Sequence, residues 1–170
     1  MTMIDAFGLI IDPKTMKVSY NKNSLRYGKI IIMSDSDVDG AHIKNLFYTF
    51  IWNFCPELIK DGYIYAGVPP LYKITIGKEY KYLKNDEALE EFRRQHLGKT
   101  YQVNRFKGLG EMGVEETEET LTNPDQRLIK QITVEDIKAT DKLFDDLMGD
   151  AVFPRKEFIK AHSSEATYEL

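Results

Sequence analysis

The sequence predicts an α/β fold: a partial parallel sheet flanked by helices, then a β-hairpin and a C-terminal α+β region. Three observations carry this. Lys29-Ile30-Ile31-Ile32-Met33 is a short, continuously apolar, β-branched run, the signature of a strand covered on both faces. From Ala41 the apolar period lengthens. Ile43, Leu46, Phe47, Phe50, Ile51 and Phe54 fall at i, i+3, i+4, i+7, i+8 and i+11, a full helical stripe. Alternating patterns then follow at 63–68 and 71–76, the second turning at Gly77-Lys78 into 80–83. Strand, acidic loop and helix in that order make half of a βαβ unit.

The remaining elements follow from local chemistry. Residues 1–28 are mixed, with turns at Asp12-Pro13 and Asn21-Lys22-Asn23. Pro56 and Asp61-Gly62 stop the striped helix. Asn85 or Asp86 can cap a short helix running through Gln95. A strand over 101–106 leads into Lys107-Gly108-Leu109-Gly110-Glu111-Met112-Gly113, and an acidic helix over roughly 114–121 comes next. After the turn Asn123-Pro124-Asp125, a strand covers 128–134. Thr133-x-x-Asp136 resembles a capping box for a helix bearing Ile137, Leu143, Phe144, Leu147 and Met148, stopped at Gly149. Pro154 suits the first turn of a last helix, and 163–170 has the composition of a flexible tail. The organisation expected is a lead-in over 1–23, a core over 24–100, a tail region over 101–162 that holds the glycine loop and C-terminal helices, and the flexible end.

Composition bounds the function. With 170 residues, 42% apolar and 12% aromatic, the chain can bury a core and is too hydrophobic to be disordered. No apolar run approaches the roughly 20 residues of a membrane-spanning helix, and there is no basic-then-apolar leader at the N-terminus. One cysteine, Cys55, excludes an internal disulfide or a zinc site built on Cys pairs, which fits an intracellular, cytoplasmic protein. The net charge of −4 hides segregation. Residues 1–60 are net +1 and 61–110 net +3, while 111–170 carry 15 acidic against 7 basic side chains, net −8. Opposite signs in two parts of a chain suit either a polyanion-facing side or ordinary solvated helix faces.

The most informative stretch is Asp35-Ser36-Asp37-Val38-Asp39-Gly40. Three carboxylates at i, i+2 and i+4 crowd negative charge, and a hard divalent cation with oxygen ligands relieves the repulsion. A solvated turn is the plainer alternative. The loop follows a buried strand, and ligands in open α/β sheets bind at the carboxyl ends of strands, so position favours a metal. An EF-hand fails, because its twelfth position, a bidentate Glu, is here Leu46, and a strand rather than a helix precedes the loop. A haloacid-dehalogenase-type phosphatase would continue with Gly-Thr where Val38-Asp39 stands.

Gly108-Leu109-Gly110-Glu111-Met112-Gly113 fits the dinucleotide pattern G-x-G-x-x-G. The strand before it carries Asn104, Arg105 and Lys107, too polar for the centre of a parallel sheet, and the helix it opens begins with acids that would repel pyrophosphate. A tight turn needing glycine accounts for the pattern. So does a loop where Arg105 and Lys107 meet a phosphate backbone at close approach.

Four stretches in order carry a resemblance. Leu25-Arg26-Tyr27-Gly28-Lys29 running through Asp35-Ser36-Asp37-Val38-Asp39-Gly40-Ala41-His42-Ile43 is one, and Pro69-Pro70-Leu71-Tyr72-Lys73 another. The others are Arg105-Phe106-Lys107-Gly108-Leu109-Gly110-Glu111-Met112, and Leu147-Met148-Gly149-Asp150 with Pro154-Arg155-Lys156-Glu157-Phe158-Ile159. Over about residues 24–160 the chain resembles the Toprim region in B-type subunits of bacterial type IIA DNA topoisomerases, the group of gyrase and topoisomerase IV. The resemblance implies a piece of an enzyme that cuts both strands of double-stranded DNA, passes a duplex through and reseals it. It implies Mg²⁺ on Asp35 and Asp37 with Asp39 in support, and DNA phosphates met by His42, Lys44, Arg105 and Lys107. It implies a heterotetramer with an A-type subunit, which carries the catalytic tyrosine, and ATP only in the full-length subunit. The family's Glu-Gly-Asp-Ser-Ala motif, whose Glu completes the metal site, is absent here, as are the Lys-x-x-Asn segment after it and the ATPase region. The expectation is therefore a C-terminal fragment with no complete catalytic set, inactive by itself. A DNA- and A-subunit-docking module without chemistry of its own is the alternative, ahead of a dinucleotide-binding or phosphoester-hydrolysing domain.

Some residues read plainly. His96 and His162 sit in polar surroundings and are expected at the surface. Cys55 is expected as a small buried hydrophobe. Trp52 reads equally as core or partner-facing.

Overall fold

The computed structural model describes residues 3–35, 37–135 and 137–165. Helix α1 (Met3–Phe7) leads through Gly8, at φ +78°, into the ribbon β1 (Ile10–Ile11) and β2 (Val18–Ser19). The predicted turns are held by side chains. Asp12 Oδ1 accepts from the Lys14 and Thr15 amides, and Asn21 Oδ1 from those of Asn23 and Ser24.

Strand β3 (Ile30–Ile32) follows, then α2 (Val38–Phe54), α3 (Glu57–Lys60) and β4 (Ile64–Gly67). β3 and β4 pair in parallel with Ile30 opposite Ile64, which completes the βαβ unit. Pro56 stops α2, as expected. Ile51, Leu58, Ile64 and Cys55 are fully buried here, joined by Ile30, Ile32 and Trp52.

The helical stripe is only partly core. Ile51 is 0% exposed, but Ile43, Leu46 and Phe54 are 58%, 51% and 47% exposed. The reason is length: a 17-residue helix runs about 25 Å, whereas the three residues of β3 reach about 10 Å. The short sheet cannot cover the whole stripe.

A second, antiparallel sheet is built from β5 (Tyr72–Ile76), β6 (Glu79–Leu83) and β7 (Gln102–Arg105), with β5 central. Gly77, at φ +59°, makes the β5–β6 turn. Helix α4 (Asp86–Gln95) is capped by Asn85, whose Oδ1 accepts from the Ala88 amide at 3.1 Å. Leu89 and Phe92 pack with Tyr72, Ile74 and Leu83 in a second core. His96 is half-buried with its ring stacked on Phe92, while His162 is exposed and stacked on Phe158. β7 is an edge strand exposed along its length, as its polar sequence demands.

The chain then makes a 3₁₀ turn (Leu109–Glu111), helix α5 (Val114–Thr117) and a π turn (Glu118–Thr122) that buries Thr120 and Leu121. Strand β8 (Ile129–Gln131) returns to pair antiparallel with β4. Helices α6 (Ile137–Met148) and α7 (Val152–Ala161) finish the fold. Trp52 belongs to the core. It is 6% exposed, donates Nε1–H to Asp141 Oδ1 at 2.8 Å and stacks on Phe144, which docks α6 against α2. Arg155 donates from Nε to Leu147 O and from Nη2 to Gly149 O, both at 2.6 Å, satisfying carbonyls at the end of α6. Those bonds give the Leu147–Asp150 and Pro154–Ile159 stretches a shared structural role. Asp136 of the expected capping box and residues 166–170 of the expected tail lie outside the described residues, while Ser163–Glu165 form a 3₁₀ turn. Among the described residues, no helix is long and apolar enough to cross a membrane.

Acid-rich α5 and the π turn after it are clasped onto the second sheet. Lys73 Nζ pairs with Glu116 at 2.7 Å and lies over the Tyr80 ring, and both tyrosines of β6 donate to Glu119. The hydrogen bond to Glu119 raises the Tyr80 phenol's pKa, and burial followed by Glu119 raises that of Tyr82, so both remain donors. Lys73, with help from the Gly113 amide, holds the Glu116 carboxyl below its ordinary 4.5. A carboxyl whose pKa is lower folded than unfolded stabilises the fold above the unfolded value, and that contribution is lost as pH falls through the folded one. Between about pH 6 and about pH 3, Glu116→Gln should therefore lose less stability than wild type in denaturant titrations. Parallel losses would remove the clasp from the acid response.

Candidate metal and nucleic-acid site

The acidic loop lies where β3 hands over to α2. Asp37 is the N-cap of α2: its Oδ1 accepts from the Gly40 amide at 2.7 Å. Asp39 stands in the first helical turn, where the helix dipole favours a carboxylate. Ser34, 8% exposed, donates its hydroxyl to Gly40 O at 2.9 Å and ties the strand end to that turn. Gly40 is required by close approach, because a Cβ there would stand 2.2 Å from Asp35 O.

Asp35 faces elsewhere. Its half-buried carboxylate accepts from the Leu109 amide at 2.7 Å, across 74 positions of sequence. A Cβ on Gly108 would meet all three atoms of that carboxylate at 3.1 Å. The two signals read separately in the sequence are therefore parts of one place. The Phe106 amide bonds Leu71 O at 2.9 Å with its ring buried, and the Lys107 amide donates to Glu111 Oε2 at 2.9 Å, which fixes the loop at both ends. A carboxylate beside Gly108 is also a poor neighbour for a dinucleotide pyrophosphate.

His42 is exposed and Lys44 half-buried on α2, while Arg105 and Lys107 are exposed at the end of β7 and the start of the glycine loop. Among the described residues, no group of three or more His, Cys, Asp or Glu side chains converges on one point. Asp35 and Asp37 each commit one oxygen to an amide and keep the other. A pair of hard oxygen donors is too few for a calcium cage but suits Mg²⁺, which is held by one or two carboxylates with several waters and substrate phosphates. Gly108 lets the Asp35 carboxylate lie close against the glycine loop.

A separate groove of about 560 Å³, lined by Tyr80, Tyr82 and Glu119, does not include the acidic loop. The acidic and glycine loops meet outside that groove, at Asp35.

Comparison with known proteins places both loops within regions that match known families. Residues 2–66 match the Toprim domain, and residues 98–160 match the carboxyl terminus of the DNA gyrase B subunit. The chain belongs to the Toprim-bearing gyrase B family. It is 42% identical over 168 residues to the DNA gyrase B subunit of Thermus thermophilus, covering 99% of this chain and 26% of that protein. It is 43% identical over 144 residues to that of Thermotoga maritima (85% and 23%) and 45% identical over 148 residues to that of Mycoplasma pneumoniae (87% and 23%). The chain spans about a quarter of the length of these relatives. The acidic loop falls in the Toprim match and the glycine loop in the gyrase B match, so the Asp35–Leu109 bond joins the two matched regions.

Sequence reasoning missed two contributors and the role of two glycines. The Leu109 amide is backbone and leaves no trace in composition. Ser34 looks like any strand-end serine. Gly40 and Gly108 were visible as glycines, but only the fold shows that both make room for Asp35.

Proposed function

We propose that this chain is part of the DNA cleavage and religation region of an ATP-dependent type II DNA topoisomerase, holding Mg²⁺ and contacting DNA in the cytoplasm. The observation that carries it is the meeting of the acidic and glycine loops at Asp35. Asp35 and Asp37 hold the cation, with Asp39 in support. Bound there, Mg²⁺ would stabilise charge on the scissile phosphate and the leaving oxygen. His42, Lys44, Arg105 and Lys107 position the duplex through its phosphates. The attacking tyrosine comes from an A-type partner, and ATP is used elsewhere in the full-length protein.

An Mg²⁺ titration tests the assignment. Asp35→Ala/Asp37→Ala should abolish the binding signal of wild type, and curves that coincide remove the metal assignment. Because Asp37 also caps α2, at about 1 kcal/mol, Asp35→Ala/Asp37→Asn serves as the variant with the cap kept. The limited number of converging carboxylates favours one second reading, a docking module without chemistry. In that case salt-sensitive DNA binding persists while no divalent binding is seen in wild type.

A further inference from the structure

The Leu109 amide is aimed at a carboxylate proposed to hold a cation, and nothing in the proposed chemistry requires Leu109 itself. We propose that the glycine loop is a positioning element for the metal. The Leu109 N–H holds Asp35 in its binding orientation, and Gly108 is glycine so that the carboxylate fits beside the backbone. The inference rests on the metal assignment above and adds residues that touch no metal.

The geometry is specific. The bond is 2.7 Å long and charge-assisted, the stronger kind of hydrogen bond. Its acceptor is the first aspartate of the loop, the one not engaged in starting α2. A carboxylate is free to rotate unless something fixes it, and groups that orient a ligand typically alter metal affinity by about 10–100-fold. Gly108 adds a steric argument. Its backbone is extended (φ −166°, ψ 172°), a conformation open to any residue, so torsional freedom does not explain glycine here. What a side chain would meet is Asp35, with three carboxylate atoms at 3.1 Å.

That same backbone allows a clean test. Leu109 is the first residue of the 3₁₀ turn, a position proline accepts, and the extended Gly108 before it is what proline requires. Leu109→Pro fits the turn, removes the N–H and sets its ring Cδ where the Asp35 oxygen stands, so the carboxylate loses both the bond and its place. Leu109→Ala removes the same side chain but keeps the N–H. Mn²⁺ titration of the full chain should show Leu109→Pro about tenfold weaker than Leu109→Ala, with Gly108→Ala weakened as well. Hydrogen exchange at the Leu109 amide, read without metal, should accelerate in Asp35→Ala. Equal Mn²⁺ affinities for the proline and alanine variants, with Asp35-dependent binding intact, overturn the positioning role alone. Unchanged amide exchange in Asp35→Ala overturns the bond itself. Absence of Asp35-dependent binding in wild type overturns the metal assignment and this role with it.

Discussion

Ile51→Ala is expected to cost about 2–5 kcal/mol of stability, and Ile43→Ala, on the same helical stripe, no more than about 0.5 kcal/mol. Both are isoleucines on the apolar period of α2. Ile51 is 0% exposed and sits in the cluster with Cys55, Leu58 and Ile64, so truncation leaves a cavity that the parallel strands cannot close. Ile43 is 58% exposed and loses little on truncation, while alanine has the better helix propensity. Urea melts of the two variants against wild type decide the matter. A cost at Ile43 comparable to that at Ile51 would mean that the N-terminal half of the stripe is covered in solution.

This contrast marks how far the sequence was legible. Periodicity located α2, and the β-branched run located β3, because both signals are local and strong. The extent of burial was not legible. It depends on how much sheet stands opposite the helix, and three residues of β3 cannot be read from the helix itself. The same division holds at the site. Asp35, Asp37 and Asp39 stood out by spacing, and Gly108 and Gly110 by pattern. The pairing of Asp35 with the Leu109 amide spans 74 positions and uses a backbone donor, so no residue type announces it. Lys73 shows the reverse. It lay in a stretch resembling the family, and the fold gives it an ion pair with Glu116 as its partner.

Gly40→Ala is expected to destabilise the chain by about 1–3 kcal/mol even though alanine is the better helix former by about 1 kcal/mol. A Cβ at residue 40 would stand 2.2 Å from Asp35 O and 2.8 Å from Asp35 C, and these are backbone atoms that cannot rotate aside. Either the first turn of α2 opens, with loss of the Asp37 cap and the Ser34 bond to Gly40 O, or residue 35 moves. Both outcomes disturb the acidic loop, so divalent affinity should fall together with stability. Gly110→Ala is the control. Nothing lies within 4 Å of its Cβ, and the substitution should stabilise by about 0.4–1 kcal/mol through the unfolded chain. Opposite signs at two glycines distinguish close approach from general flexibility. A Gly40→Ala variant as stable as wild type would show that α2 does not start against Asp35. The geometry that brings the acidic loop to the glycine loop would then fall with it.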